Sequence, residues 1–261
     1  MTIKIRHILA GATAVLLLAG LGMLRILTRQ VERSVVCTGM DIHLGDSLNF
    51  VSKEDIKSFI DKEYGCWLGQ KLDSMDLPRI EDILESEGMI HEGEAWLTGD
   101  GILHIYATQR APVLCFRNAG NSFYVDSEGY IFPLHENFST DVPAVEGRVP
   151  VRLDKGFRGF ATEDEERAWI QGVLDMYAYV QNSRTWKGSV TGMVVEPNGD
   201  LSVRLWDYKE RFVLGGTDRI AEKFALIEKY IQRIRPTEQG QKYRRVTVKY
   251  KGQIICRTTD T

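Results

Sequence analysis

Residues 107–134 read ATQRAPVLCFRNAGNSFYVDSEGYIFPL, and this stretch decides how the chain divides. Gln109-Arg110-Ala111-Pro112 ends a run of alternating residues, and Pro112 both biases Ala111 away from helix and removes one ladder donor. Val113 to Arg117 then reads as a strand, Asn118 to Asn121 as a turn and Ser122 to Val125 as the hairpin partner. Asp126-Ser127-Glu128-Gly129 is a second turn, with Gly129 supplying a left-handed backbone. Tyr130 to Phe132 returns as a third strand, so local pattern alone predicts a β-meander opening a new domain.

Upstream, Ser34 to Cys37 is a short β-favouring run ended by Thr38-Gly39. Ser52-Lys53-Glu54-Asp55 forms a capping box with Asp in the usual Glu position, and Ile56, Phe59 and Ile60 give the following helix one apolar face. Asp76 with Pro78 opens a second helix whose stripe is Ile80, Ile83 and Leu84, with Gly88 as its stop. Ile90–Thr98 and Ile102–Ala107 follow as a hairpin around Gly99-Asp100-Gly101. The order is strand, helix, helix, strand, strand.

Downstream, 148–160 contains Gly and Arg and reads as a loop. A capping box at Thr162 or Glu163 starts a helix burying Trp169, Ile170, Val173, Leu174, Tyr177 and Val180. Ser189–Val195, Leu201–Trp206 and Arg211–Leu214 read as antiparallel strands. Gly215-Gly216-Thr217 leads into a helix carrying Ile220, Phe224, Ile227, Ile231 and Ile234, stopped by Pro236. Tyr243 to Arg257 reads as one last strand in which Val246, Val248 and Tyr250 alternate.

The 261 residues carry a net charge of −3, which is room for two modest domains and no basic excess. Lys and Arg are scattered, so nucleic acid is not an expected partner. Cys37, Cys66, Cys115 and Cys256 lie far apart without a C-x-x-C, and they read as buried thiols. His7, His43, His91, His104 and His135 are spread singly, which is poor metal-ligand spacing; His104 alternates outward on its strand and reads as part of a solvated face. G-x-S-x-G, S-x-x-K, H-E-x-x-H and Walker A patterns are all missing, and Glu163 to Glu166 sit in the first turn of a helix, where they complement its dipole. Neither a catalytic residue nor a cofactor is expected.

Ile8 to Leu24 is unbroken by charge, and Ile26-Leu27 extend it beyond Arg25. Twenty helical residues rise about 30 Å, the thickness of a bilayer's hydrocarbon core. No small-x-small cleavage site follows, so 8–27 is expected to be an uncleaved transmembrane anchor rather than a signal peptide. Lys4 and Arg6 precede the span while Arg25, Arg29 and Arg33 follow it, so charge bias does not orient it. The large C-terminal part favours a cytoplasmic N-terminus.

Arg110-x-Pro112-Val113, followed by Tyr124-Val125-Asp126-x-x-Gly129-x-x-Phe132, resembles the junction between the two extracytoplasmic domains of the FtsQ/DivIB bacterial cell-division family. Gln109 stands where that family usually has Glu. The preceding element order matches the family's POTRA module, and Pro143 to Gly147, Leu214-Gly215 and Glu222-Lys223 fit the family's pattern further on. Tyr243–Arg257 resembles the closing Val-Asp-Leu-Arg-Tyr strand, with Thr247 in place of the Asp.

The resemblance implies an α+β fold: a cytoplasmic N-terminus (1–7), a transmembrane helix (8–27), a β-α-α-β-β POTRA-like domain (28–109) and a larger antiparallel-sheet domain with two helices packed on it (110–261). It also implies a non-catalytic scaffold in the cell inner membrane at the division septum, with periplasmic C-terminal domains. Its partners would resemble FtsB and FtsL and connect to the septal peptidoglycan synthase complex. Val248, Lys249, Tyr250, Gly252 and Ile254 of the last strand are the expected partner-binding residues, and Arg110, Pro112, Tyr124, Asp126 and Gly129 the expected domain junction. Two competing readings are a membrane-tethered cell-wall enzyme, which needs a polar cleft, and a POTRA-type chaperone, which usually carries several repeats and a barrel.

Overall fold

The computed structural model describes residues 35–46, 48, 50–118, 121–133, 141–152, 154 and 156–259, together with helical Ala19, Gly20 and Met23. The expected span at 8–27 otherwise lies outside the described residues, among which no helix is long and apolar enough to cross a membrane. The chain separates into two compact units, Met1–Gln109 and Arg110–Thr261.

In the first unit, β1 (Gly39–Leu44), α1 (Lys53–Glu63), α2 (Leu77–Ser86), β2 (Ile90–Leu97) and β3 (Ile102–Gln109) follow one another. The sheet order is β1-β3-β2, with β1 parallel and β2 antiparallel to β3. Both helix starts form as the sequence dictates. Ser52 and Asp55 exchange side-chain and backbone hydrogen bonds at α1, and the Asp76 carboxylate accepts from the Arg79 N–H at α2. Ile56, Ile60, Ile80 and Leu84 of the helices are buried, as are Leu103, Ile105 and Ala107 on the inner positions of β3. The first strand lies later than the sequence indicates. Val36 makes only a bridge to Lys71, while Asp41-Ile42-His43 forms the strand because Ile42 turns inward and its polar neighbours turn out.

The second unit contains β4 (Leu114–Asn118), β5 (Asn121–Val125), β6 (Ile131–Pro133), β7 (Ala144–Gly147), α3 (Asp164–Asn182), β8 (Val190–Val195), β9 (Leu201–Leu205), β10 (Arg211–Gly215), α4 (Ile220–Lys229, extended by a π-helical turn to Ile234), β11 (Arg245–Thr247) and β12 (Ile255–Arg257). They form a nine-stranded sheet ordered β12-β11-β10-β9-β8-β7-β4-β5-β6. It is mixed, not antiparallel: β7 runs parallel to both β4 and β8, and β10 parallel to β11. A helix inserted between two neighbouring strands returns the chain to its starting side, so α3 and α4 each enforce a parallel pair. The helices are where the sequence puts them; their consequence for strand direction was the missing step.

Alternation sorts the sheet into two chemistries. Phe116, Val145, Val203, Phe212 and Val246 point into a core shared with Ile170, Val173, Leu174, Met176 and Val180 of α3 and Phe224, Ile227 and Tyr230 at α4. Each such fully buried aliphatic contributes about 1.5–3 kcal/mol. Their strand neighbours Arg117, Glu146, Arg204, Arg211 and Arg245 project from the opposite face. There Glu146 bridges Arg117 and Arg204, and Glu196 bridges Arg211 and Arg245. The start of α3 lacks the expected side-chain cap; instead the Arg167 guanidinium donates to the carbonyls of Ala161 and Thr162.

Candidate functional site at the sheet edge

The junction residues converge on one carboxylate. Asp126 Oδ1 accepts from the N–H groups of Glu128 and Tyr130, both at 2.9 Å, and Oδ2 accepts from Arg110 at 2.8 Å. The Arg110 guanidinium also lies 3.6 Å from the centre of the Tyr130 ring, and both charged side chains are nearly buried, at 10% and 7% exposure. Gly129, at φ +87°, permits the turn that aims those N–H groups. Pro112 precedes Val113, whose N–H donates to Val125, and Tyr124 is buried against Phe132. This group fastens the start of the second unit to the β5–β6 turn, which is a structural task.

Gln109 shows why an amide suits this chain. Its Oε1 accepts from the N–H groups of Phe50 and Val51, each at 2.8 Å, while its Nε2 donates to Asp46 Oδ1 at 2.8 Å and to the Leu48 carbonyl. A carboxylate supplies no donor for those last two partners.

Residues 243–257 are not one strand. β11 covers only Arg245–Thr247, and the chain then turns through Val248–Ile254 to come back as β12. Gly252 sits at φ +67° in the turn closed by the Gln253 N–H donating to Tyr250. β11 therefore lies between β10 and β12, and β12 ends the sheet with no strand beyond it among the described residues.

The five expected binding residues divide accordingly. Val248 is fully buried and its N–H donates to Val213. Lys249 lays its stem against Gly215 and pairs with Asp200 at 2.7 Å, while its carbonyl accepts from Arg219. The Gly252 N–H donates to Glu222 at 3.0 Å, and Ile254 is half-buried against the core. Tyr250 is half exposed. Sequence reasoning passed over Ile255 and Arg257, which project to solvent from β12 itself.

The far end of the sheet is shut. Ile131 and Gly159 exchange N–H···O bonds, both at 2.9 Å, and Pro133 has no N–H to offer. This gives the 148–160 loop a task, aided by Val149 and Val151 in the core.

The described residues include no activated nucleophile at the open edge. All four cysteines are free; Cys66 is exposed, against expectation, and burial pushes the thiols of Cys115 and Cys256 up. The Tyr230 hydroxyl is raised, first by burial and then by the Glu210 carboxylate it bonds at 3.1 Å. Lys223, wholly buried, donates to the Gly216 carbonyl and to Asp218, whose carboxyl is held down at about 2 by hydrogen bonds from Lys223 and Arg219. These groups brace the start of α4 and the β10–β11 region.

Comparison with known proteins agrees with this architecture. A POTRA-like domain profile matches residues 35–108, and the family described as "FtsQ/DivIB, C-terminal related" matches residues 111–257. No curated protein matches the chain significantly. Family members of this kind are typically non-catalytic. Since the second match alone spans more than half of the sequence, the chain belongs to the FtsQ/DivIB-related family, with a POTRA-like domain ahead of its C-terminal domain.

Proposed function

We propose that this protein is a non-catalytic, bitopic scaffold of the division machinery, held in the inner membrane by residues 8–27 with its folded units in the periplasm. It works by being gripped along β12 by partners resembling FtsB and FtsL, which couple it to septal peptidoglycan synthesis. The observation carrying this reading is the asymmetry of the nine-stranded sheet, closed by Gly159 at β6 and open at β12. A partner strand laid beside β12 completes main-chain hydrogen bonding there, and alternate side chains set specificity.

Magnitude decides what else the partner needs. Two or three added main-chain hydrogen bonds at about 0.5–1.5 kcal/mol each fall well short of the roughly 8 kcal/mol of a micromolar complex. The partner must therefore also cover the exposed rings and branches of Tyr250 and Ile255. Lys249, already paired with Asp200, orders the turn more than it recruits. Tyr250→Glu and Ile255→Glu in the full-length chain are expected to abolish capture of the FtsB/FtsL pair while circular dichroism stays unchanged. Undiminished capture by both folded variants refutes the docking edge.

A further inference from the structure

The outer face of the first unit's sheet gathers a set of metal-ligating side chains that sequence spacing conceals. Asp41 and His43, two apart on β1, share a face, and the parallel register sets Asp41 directly opposite His104 on β3. His43 Nε2 lies 3.0 Å and His104 Nδ1 3.7 Å from the same oxygen, Asp41 Oδ2, and the three ligand atoms fall within 4.8 Å of one another. Trp96, the β2 neighbour of His104, stacks on it at 5.3 Å between centroids, and the His43 ring lies nearly parallel on its other side at 6.4 Å.

The hydrogen bonds fix the tautomer of His104. Its Nε2 is 3.2 Å from Thr98 Oγ1. That hydroxyl has one proton and two acceptor neighbours, the Asp100 carboxylate at 2.5 Å and the Ile102 carbonyl at 3.3 Å. The Thr98 bond holds the Asp100 carboxyl below its ordinary range, so Asp100 is a carboxylate and takes the proton. Thr98 is then left to accept from His104 Nε2–H, so the neutral ring is the tautomer that carries its lone pair on Nδ1. That lone pair faces the Asp41 carboxylate, two acceptors pointed at each other, an arrangement a cation between them resolves.

We infer that Asp41, His43 and His104 form a divalent transition-metal site of the zinc class, open at a fourth position. Two imidazoles and one carboxylate are a zinc donor set, and donor bonds of about 2.0–2.1 Å place the ligand atoms roughly 3.3 Å apart in a tetrahedron. The 3.0 and 3.7 Å separations from Asp41 Oδ2 straddle that value, and rotation of the half-exposed His43 closes the remaining side. Thr98 with Asp100 orients His104 from behind, as carboxylate-linked partners do for metal-bound histidines. Asp41 and His43 are each about half exposed, so an ion reaches the site without unfolding the sheet.

The test is a cobalt(II) titration of the purified full-length chain in detergent, followed by ligand-field absorption, with zinc(II) as competitor. One saturable cobalt site displaced by zinc is expected. Asp41→Asn and His104→Ala weaken it at least tenfold, and Thr98→Val, which touches no metal, weakens it about 10–100-fold. Far-UV circular dichroism of all three stays that of the wild type. Absence of saturable binding, or binding unchanged in a His43→Ala/His104→Ala chain, overturns the site in favour of a proton between His104 and Asp41. A Thr98→Val chain that binds as tightly as the wild type overturns the tautomer argument and the proposal with it.

Discussion

Replacing Asp126 by Asn is the sharpest probe of the second unit. The amide keeps the shape and still offers Oδ1 to the N–H groups of Glu128 and Tyr130. It removes the charge paired with Arg110, whose side chain is only 10% exposed and whose Nε already has no hydrogen-bond partner among the described residues. Breaking one half of a buried ion pair costs about 3–5 kcal/mol, because the surviving charge stays desolvated. Against a domain stability of roughly 5–15 kcal/mol, that is a large fraction. Removing both charges is far milder: in Arg110→Met/Asp126→Asn no buried cation remains, although the guanidinium stacked on Tyr130 is lost. Denaturant unfolding of a full-length chain carrying Trp67→Phe and Trp96→Phe, whose remaining fluorescence comes from Trp169, Trp186 and Trp206 of the second unit, measures the double-mutant cycle. The double variant is expected to be more stable than Asp126→Asn alone. A loss below about 1 kcal/mol for Asp126→Asn, or simple additivity, refutes the account of the junction as a desolvated pair.

Gln109→Glu removes the donors to Asp46 and the Leu48 carbonyl and sets a second carboxylate against the first, so it costs about 2–4 kcal/mol at pH 7. That penalty shrinks on acidification as the introduced group protonates, which urea midpoints at pH 7 and pH 4 will show. Asp218 is depressed to about 2 from 3.8 by Lys223 and Arg219, so its stabilising contribution is complete above about pH 4 and is lost as pH falls through 2. Asp218 is mostly exposed, so the effect is modest; Asp218→Asn is expected to flatten the stability curve between pH 4 and 2 and to leave a cost at neutral pH from the buried Lys223 ammonium.

Local signals with a local cause were readable in the sequence. The Ser52–Asp55 box and the Asp76–Pro78 helix start act within a few residues, and both form as written. The inward stripe of α3 was mostly legible for the same reason, with Met176 added and Trp169 and Tyr177 only half-buried. Pairing direction was not legible from strand patterns, because it depends on which strands become neighbours. The final hairpin is hidden because Tyr243–Arg257 alternates well enough for one strand, so Gly252 is expected inside that strand when it makes a turn. His43 and His104 carry no shared signal along the chain; only the parallel register of β1 on β3 makes them neighbours.

The unequal ends of the nine-stranded sheet bear on self-association. Repeated addition of copies needs a donor flank on one molecule and a receptive flank on the next, and the Gly159 clasp with Pro133 removes one of the two. Growth into a fibre by strand-to-strand stacking is thereby blocked at the first step. Such a sheet can be lengthened by one strand, beside β12, and no further.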